Sequence, residues 1–312
     1  MPYDLTTRLV IGLSSSALFD LTEADTVYRN HGESEYRQYQ QQNLDRPLNK
    51  GVAFPLIRRL LSLNKLSSPD DPLVEVILLS RNDPDTGLRV MNSIEHYQLG
   101  ISRAVFLQGK SPYKYIPAFN IELFLSANIE DVQQAVAAGY PAGQILSGHI
   151  LDDIADTELR IAFDFDGVLA DDESELIYRN SKSISDFHAY EAEHQDVPHK
   201  PGPLKNFLQR ISRIQKLELA LSENDASYRP ILNVSIVTAR NAPSHKRVIK
   251  TMKAWDIMVN QAYFMGGVEK LKVLEVIKPH MFFDDQKLHL QASSAFLPSV
   301  HIPFGTANQK SN

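Results

Sequence analysis

The sequence predicts an α/β protein made of two tandem parallel-sheet halves, and three observations carry that reading. First, short β-branched or aromatic runs, VEVILLS (74–80), NVSIVTA (233–239) and HMFFDD (280–285), alternate with amphipathic stretches such as PLKNFLQRISRIQKLELAL (203–221). That alternation reads as parallel strands joined by helical crossovers, with functional groups at the carboxyl ends of the strands. Second, the chain is written twice. Ser14 and Ser16 stand where Asp164 and Asp166 stand at an offset of 150 residues, and Tyr28 meets Tyr178 at the same offset. Third, the spacing matches further on. Ser80 to Ser126 and Thr238 to Asp284 are both 46 residues, with Arg89, Phe106 and Gly109 falling on Arg247, Phe264 and Gly267 without a gap.

The first half, 1–150, opens on the strand LVIGL (9–13) and continues into a polar helical insert. Tyr36 and Tyr39 of that insert answer Phe187 and Tyr190, and DRPLNKG (45–51) answers DVPHKPG (196–202). A turn at Pro69–Pro72 precedes VEVILLS, and IELFLSAN (121–128) ends the half's last assigned strand. The second half, 151–312, repeats the plan, with residues 172–201 forming a small helical cap. The boundary is expected within SGHILDDIADTE (147–158).

Composition narrows the function classes. A chain of 312 residues suits one large domain or two of ordinary size. Its 43% apolar and 22% charged residues are those of a globular protein. Without cysteine there is no disulfide scaffold, thiolate nucleophile or Cys-ligated metal. MPYDLTTRLV lacks a signal-peptide profile and no apolar run reaches membrane-spanning length, so a cytoplasmic protein with no membrane partner is expected. The net charge of −6 argues against a nucleic acid polymer as partner, while one local positive site suffices for a small phosphorylated ligand.

The stretch IAFDFDGVLADDESE (161–175) sends six carboxylates out of the end of one apolar strand. Such neighbours repel one another and lose hydration near a core edge. A cation, or a reacting group that needs both acids, resolves the conflict. Asp164 and Asp166 are two apart, so in extended backbone both point to one side, and Gly167 permits a sharp turn after them. Thr238 and the Asp284–Asp285 pair stand at the other strand ends, with Lys270 ahead of the last strand. Asp164, Asp166, Asp284 and Asp285 make an oxygen-only ligand set that suits a hard ion, best Mg²⁺. The Thr238 hydroxyl and the backbone N–H groups of the turn at Ala239 suit an anion. Lys270 adds positive charge for phosphate and aspartates, with Lys272 as its competitor. Phosphoryl transfer asks mainly for this positioning and neutralisation, and an aspartate nucleophile divides hydrolysis into two easier steps.

Each feature has a plainer reading. Asp-Phe-Asp alone is ordinarily a solvated turn, Asp284–Asp285 a helix cap, and Thr238 a β-branched strand residue; their shared place at matching strand ends favours chemistry. Asp171, Asp172, Glu173 and Glu175 read as a helix-start cluster. Tyr178, Phe187 and Tyr190 are candidates to stack on a nucleobase, against the reading that aromatics at helical spacing are core. His188, His194 and His199 read as surface residues. The first half has Ser14, Ser16, Ser126 and Ala127 in place of the four aspartates and Pro112 in place of Lys270, so it reads as a degenerate copy. Its Arg81, Arg89 and Arg103 could hold an anion such as a nucleotide effector; otherwise that half is a packing partner.

DFDGV, Thr238, Lys270 and the apolar–Asp–Asp strand end resemble the four motifs of the haloacid dehalogenase-like (HAD-like) phosphohydrolases. More narrowly, LFDL, LLSRNDPDTGLRV, NSIEHY, LFLSAN, DESE and FFDDQ resemble the cytosolic 5′-nucleotidase type I family over nearly the whole chain. The resemblance implies two HAD-like (Rossmannoid) halves and Mg²⁺-dependent hydrolysis of nucleoside 5′-monophosphates, AMP prominent among them. It implies Asp164 as nucleophile, Asp166 as the acid for the leaving 5′-oxygen and then the base for water, and Asp284 and Asp285 as metal holders. Animal members carry Gly where Phe165 stands, which weakens transfer of their substrate preference. A phosphatase for sugar phosphates would use the same core residues. A nucleotide-binding regulator would do better without four carboxylates beside its anion.

Overall fold

A computed structural model describes residues 3–148 and 152–308. The expected boundary falls partly on residues 149–151, which lie outside the described residues. Contacts divide the chain into two compact units, Met1–Ile150 and Leu151–Asn312.

The first unit runs β1 (Leu9–Leu13), α1 (Ser15–Leu18), β2 (Phe19–Asp20), α2 (Thr22–Gln42), β3 (Asn49–Lys50), α3 (Phe54–Ser62), β4 (Val74–Ser80), α4 (Pro84–His96), β5 (Arg103–Phe106), β6 (Leu123–Ser126), α5 (Ile129–Ala137) and β7 (Ala142–Ile145). Its strands pair in parallel in the order β7-β6-β1-β4-β5. Every residue of β1 and β4 is buried, as parallel strands covered on both faces require. Asp83 and Asn128 cap α4 and α5 by accepting from the first-turn backbone N–H groups. A core of Val10, Ile77, Leu79, Phe124 and Val132 holds these elements together.

The second unit runs β8 (Leu159–Phe163), α6 (Glu173–Ser181), α7 (Ile184–Glu193), α8 (Lys205–Asn224), β9 (Leu232–Thr238), α9 (His245–Ala254), β10 (Gln261–Phe264), α10 (Lys270–Ile277), β11 (Met281–Asp284), α11 (Lys287–Ser293) and β12 (Ser299–His301). Its parallel order is β12-β11-β8-β9-β10. Phe163, Phe207 and Phe283 pack ring against ring beneath the strands. Residues 172–201, where a cap is expected, hold the helices α6 and α7, separated at Lys182 in left-handed backbone. Glu173 and Glu175 occupy the first turn of α6, as the helix-start reading of the acidic cluster expects.

Among the described residues, six strands escaped the sequence reading: β2 and β3 span two residues each, and β5, β7, β10 and β12 only three or four. Runs that short carry no alternation to recognise, and Arg103 and Gln261 make two of them begin polar. Among the described residues, no helix is long and apolar enough to cross a membrane.

Candidate active site

The ends of β8, β9 and β11 bring the predicted residues together. Asp164 follows β8 and is buried; its Oδ1 accepts the Phe165 N–H at 2.7 Å. The Phe165 ring turns into the core, and Gly167 makes the bend at φ 71°. A Cβ on Gly167 would come 2.5 Å from the Asp285 Oδ2, so bend and acid share one tight space. Lys270, at the first turn of α10, places its Nζ 2.6 Å from Asp164 and 2.8 Å from Asp284. Lys272 is exposed, so Lys270 is the lysine that reaches the acids. Asp284 also accepts the Gln286 N–H at 2.7 Å and faces His289 at 3.1 Å. Asp284 and Asp285 do not serve as the cap of α11, whose flanking residue is Gln286.

Burial and charge set the state of this cluster. Burial first, with Asp284 and Asp166 adding to it and Lys270 opposing, pushes Asp164 up to about 7. Asp285 is pushed up to about 9 by burial and by Asp164 and Asp284. Neither oxygen of Asp285 has a hydrogen-bond partner, although the residue is 1% exposed. An unpaired buried carboxylate is costly, and a cation is what relieves it. Lys270 stays charged because Asp164 and Asp284 outweigh its burial. Among the described residues, ligand atoms of Asp164, Asp284 and His289 lie within 4.8 Å of one another, as do those of Asp171, Glu173 and His199.

A cavity of about 390 Å³ opens over these strand ends. Asp164, Asp166, Thr238, Ala239, Tyr178 and Phe187 all line it. Thr238 is buried, and its hydroxyl accepts the Arg240 N–H at 3.3 Å. Two of the predicted residues lie apart from the group of Asp164, Lys270 and Asp284. Tyr190 does not line the cavity: its ring stacks on His194 at 4.1 Å and lies 5.7 Å under the Arg247 guanidinium. The Asp166 carboxylate is committed to Arg240 rather than to the group formed by Asp164 and Asp284.

Arg240 is the residue that sequence reasoning missed. Its Nε and Nη2 each lie 2.7 Å from one oxygen of Asp166, and its Nη1 pairs with Glu191 of α7. Ser174 and Arg247 also bond Glu191, and His199 sits 3.7 Å away. Burial alone would raise Glu191, but His199, Arg240 and Ser174 hold it well below the usual carboxylate range. One histidine read as a surface residue is corrected, His199, while His188 keeps partial exposure. His199 is buried beside this network, and His188 reaches the cavity, where its Nε2 lies 2.8 Å from the Asn241 Oδ1. The sequence held one signal for Arg240: its counterpart at the 158-residue offset is neutral Asn82.

In the first unit, hydroxyls satisfy one another where acids stand in the second. Ser14 and Ser16 are 3.1 Å apart, as are Ser15 and Ser80. The three arginines considered for an anion are occupied. Arg81 grips Asp131 with two nitrogens at 2.7–3.1 Å, Arg89 bonds Gln40 and the Arg46 carbonyl, and Arg103 pairs with Glu75.

Human Cytosolic 5′-nucleotidase 1B is 34% identical over 290 residues, which cover 91% of this chain and 47% of that protein. The chain thus spans about half the length of this curated relative. No solved structure matches it. A family model described as 5′-nucleotidase matches residues 1–309, nearly the whole sequence and both sets of strand ends, and the chain belongs to that family.

Proposed function

We propose that this protein hydrolyses nucleoside 5′-monophosphates to nucleoside and phosphate with Mg²⁺, through an aspartyl phosphate on Asp164. The observation that carries the reading is the meeting of Asp164, Lys270 and Asp284 next to a cavity that also holds Asp166 and two aromatic side chains of the cap. A carboxylate oxygen of Asp164 attacks phosphorus and the bond to the 5′-oxygen breaks. A proton on Asp166 passes to that oxygen, so nucleoside leaves neutral. Water then attacks the acyl phosphate, gives its proton to Asp166, and the Asp164 carboxylate returns as phosphate departs. Lys270 and the backbone N–H groups of the turn after Thr238 neutralise phosphoryl oxygens.

Mg²⁺, when bound, adds charge neutralisation at those oxygens. We assign its direct protein ligands to Asp164 and Asp285, because Asp285 has two oxygens without partners. Asp284 is already satisfied by Lys270, Gln286 and His289, and its task is to hold Lys270. The aromatic side chains Tyr178 and Phe187 face the nucleobase.

We also propose that the two units are copies of one HAD-like ancestor, each with a helical cap insert. Their strand orders coincide. Arg89 and Arg247 make the same contacts at matched places: Nε to the carbonyl of Arg46 or Val197, Nη1 to Gln40 or Glu191, guanidinium over Tyr39 or Tyr190. Gly51 and Gly202 both donate N–H at 2.8 Å, to Leu18 and Leu169. The first copy has lost the acids, and its arginines are paired internally, so we assign it a packing role and no effector. The relative's name places that protein in the cytosol, and we extend this to the present chain.

Phosphate release from AMP, IMP, dCMP and glucose 6-phosphate, with Mg²⁺ and with EDTA, tests the reading. Release from the nucleotides that EDTA and Asp164→Asn both abolish supports it. A preference for glucose 6-phosphate selects a sugar phosphatase, and absence of turnover selects a binding protein.

A further inference from the structure

A buried arginine links helix α7 to Asp166. The Arg240 side chain is 3% exposed, and its guanidinium lies 5.3 Å from the centre of the Phe165 ring and 5.5 Å from that of Phe187. On one side it grips both oxygens of Asp166; on the other it is held by Glu191, whose side chain is fully buried. Glu191 is in turn fixed by Ser174 of α6 and by Arg247 of α9. The planar fork of a guanidinium fixes direction as well as charge, which a lysine ammonium cannot do. The first copy has Asn82 and Gln40 at these two places and Ser16 in place of Asp166, so grip, anchor and acid are all present in one copy and all absent from the other.

We propose that Arg240 is a positioning residue for the acid–base step, aiming the Asp166 carboxylate at the leaving 5′-oxygen, and that Glu191 is its anchor. The cap helix α7 thereby takes part in aiming the proton donor as well as in lining the cavity. When one oxygen of Asp166 carries the proton, the other still accepts from the guanidinium, so direction is kept through the transfer. The inference rests on the proposed role of Asp166 and goes beyond it by naming what sets that residue's direction.

The test separates help with proton transfer from general support of the fold. AMP is compared with its analogue in which sulfur replaces the bridging 5′-oxygen. The analogue keeps base, ribose and phosphoryl group, but expels a thiolate that needs little protonation, since thiols ionise near pKa ~8.5. First-turnover rates are measured with Mg²⁺, so that only the bond-breaking step is read. Arg240→Lys keeps the positive charge and loses the two-pronged grip. It is expected to slow AMP by about 10- to 100-fold, a part of the roughly 10²- to 10⁴-fold that general acid catalysis supplies, and the sulfur analogue by no more than about threefold. Glu191→Gln should show the same selectivity with a smaller loss. Equal loss on both substrates in Arg240→Lys, or no loss on either, overturns the proposal. Asp166→Asn is the control. Selective loss there with uniform loss in Arg240→Lys removes Arg240 alone, whereas uniform loss in Asp166→Asn removes the acid role and the inference with it.

Discussion

Replacing Asp285 by Asn should make the metal-free protein more stable while ending its response to Mg²⁺. The reason is the two carboxylate oxygens of Asp285, buried and without hydrogen-bond partners, next to Asp164 and Asp284. An unsatisfied buried polar group costs about 1–3 kcal/mol, and more when charged. Asparagine has the same shape, carries no charge and offers an amide N–H₂ to the neighbouring carboxylates. Metal-free Asp285→Asn should therefore gain about 1–3 kcal/mol. For a unit of 312 − 150 = 162 residues, each kcal/mol moves Tm by about 2–4 °C. The expected rise in EDTA is about 2–12 °C. In the unmodified protein, Mg²⁺ at about a hundred times its Kd adds about 2.7 kcal/mol, or about 5–11 °C on the same conversion. In the variant that increment should vanish, together with phosphate release. Thermal melts of both proteins, each with EDTA and with Mg²⁺, read all of this. A variant that melts lower than the parent in EDTA, or keeps the full Mg²⁺ shift, refutes the reasoning.

Lys270→Met leaves Asp164 and Asp284 without their shared cation and should cost about 3–5 kcal/mol in urea unfolding, as breaking a buried ion pair does. Mg²⁺ should restore part of that loss, and catalysis should not return. Gly167→Ala should cost about 1–2 kcal/mol for its left-handed backbone, and crowding of the Asp285 Oδ2 should weaken Mg²⁺ binding measured by calorimetry. Phe187→Ala should raise KM for AMP by roughly tenfold, as loss of about 1–3 kcal/mol of base stacking predicts, while Tyr190→Ala leaves KM for AMP nearly unchanged.

The amino-acid sequence by itself determined the alternation of strands and helices, the ends of the long strands and the acids and lysine placed there. Those signals are local: β4 and β9 are seven-residue runs of mainly apolar residues, and Asp164, Asp166 and Gly167 are neighbours in the chain. Comparison of the two halves added contrast, since serines at matched spacing in the first half set off the aspartates of the second as more than surface charge. Only the tertiary structure decided which charges face each other. Arg240 and Asp166 are 74 residues apart and Arg240 and Glu191 are 49 apart, and no periodicity encodes such a meeting. The same holds for the aromatic side chains of α7. Phe187 and Tyr190 lie three residues apart on one helix, yet Phe187 lines the cavity and Tyr190 packs against His194 and Arg247. Helical spacing puts both on similar faces; the side chains that α7 meets when it folds onto the unit choose between them.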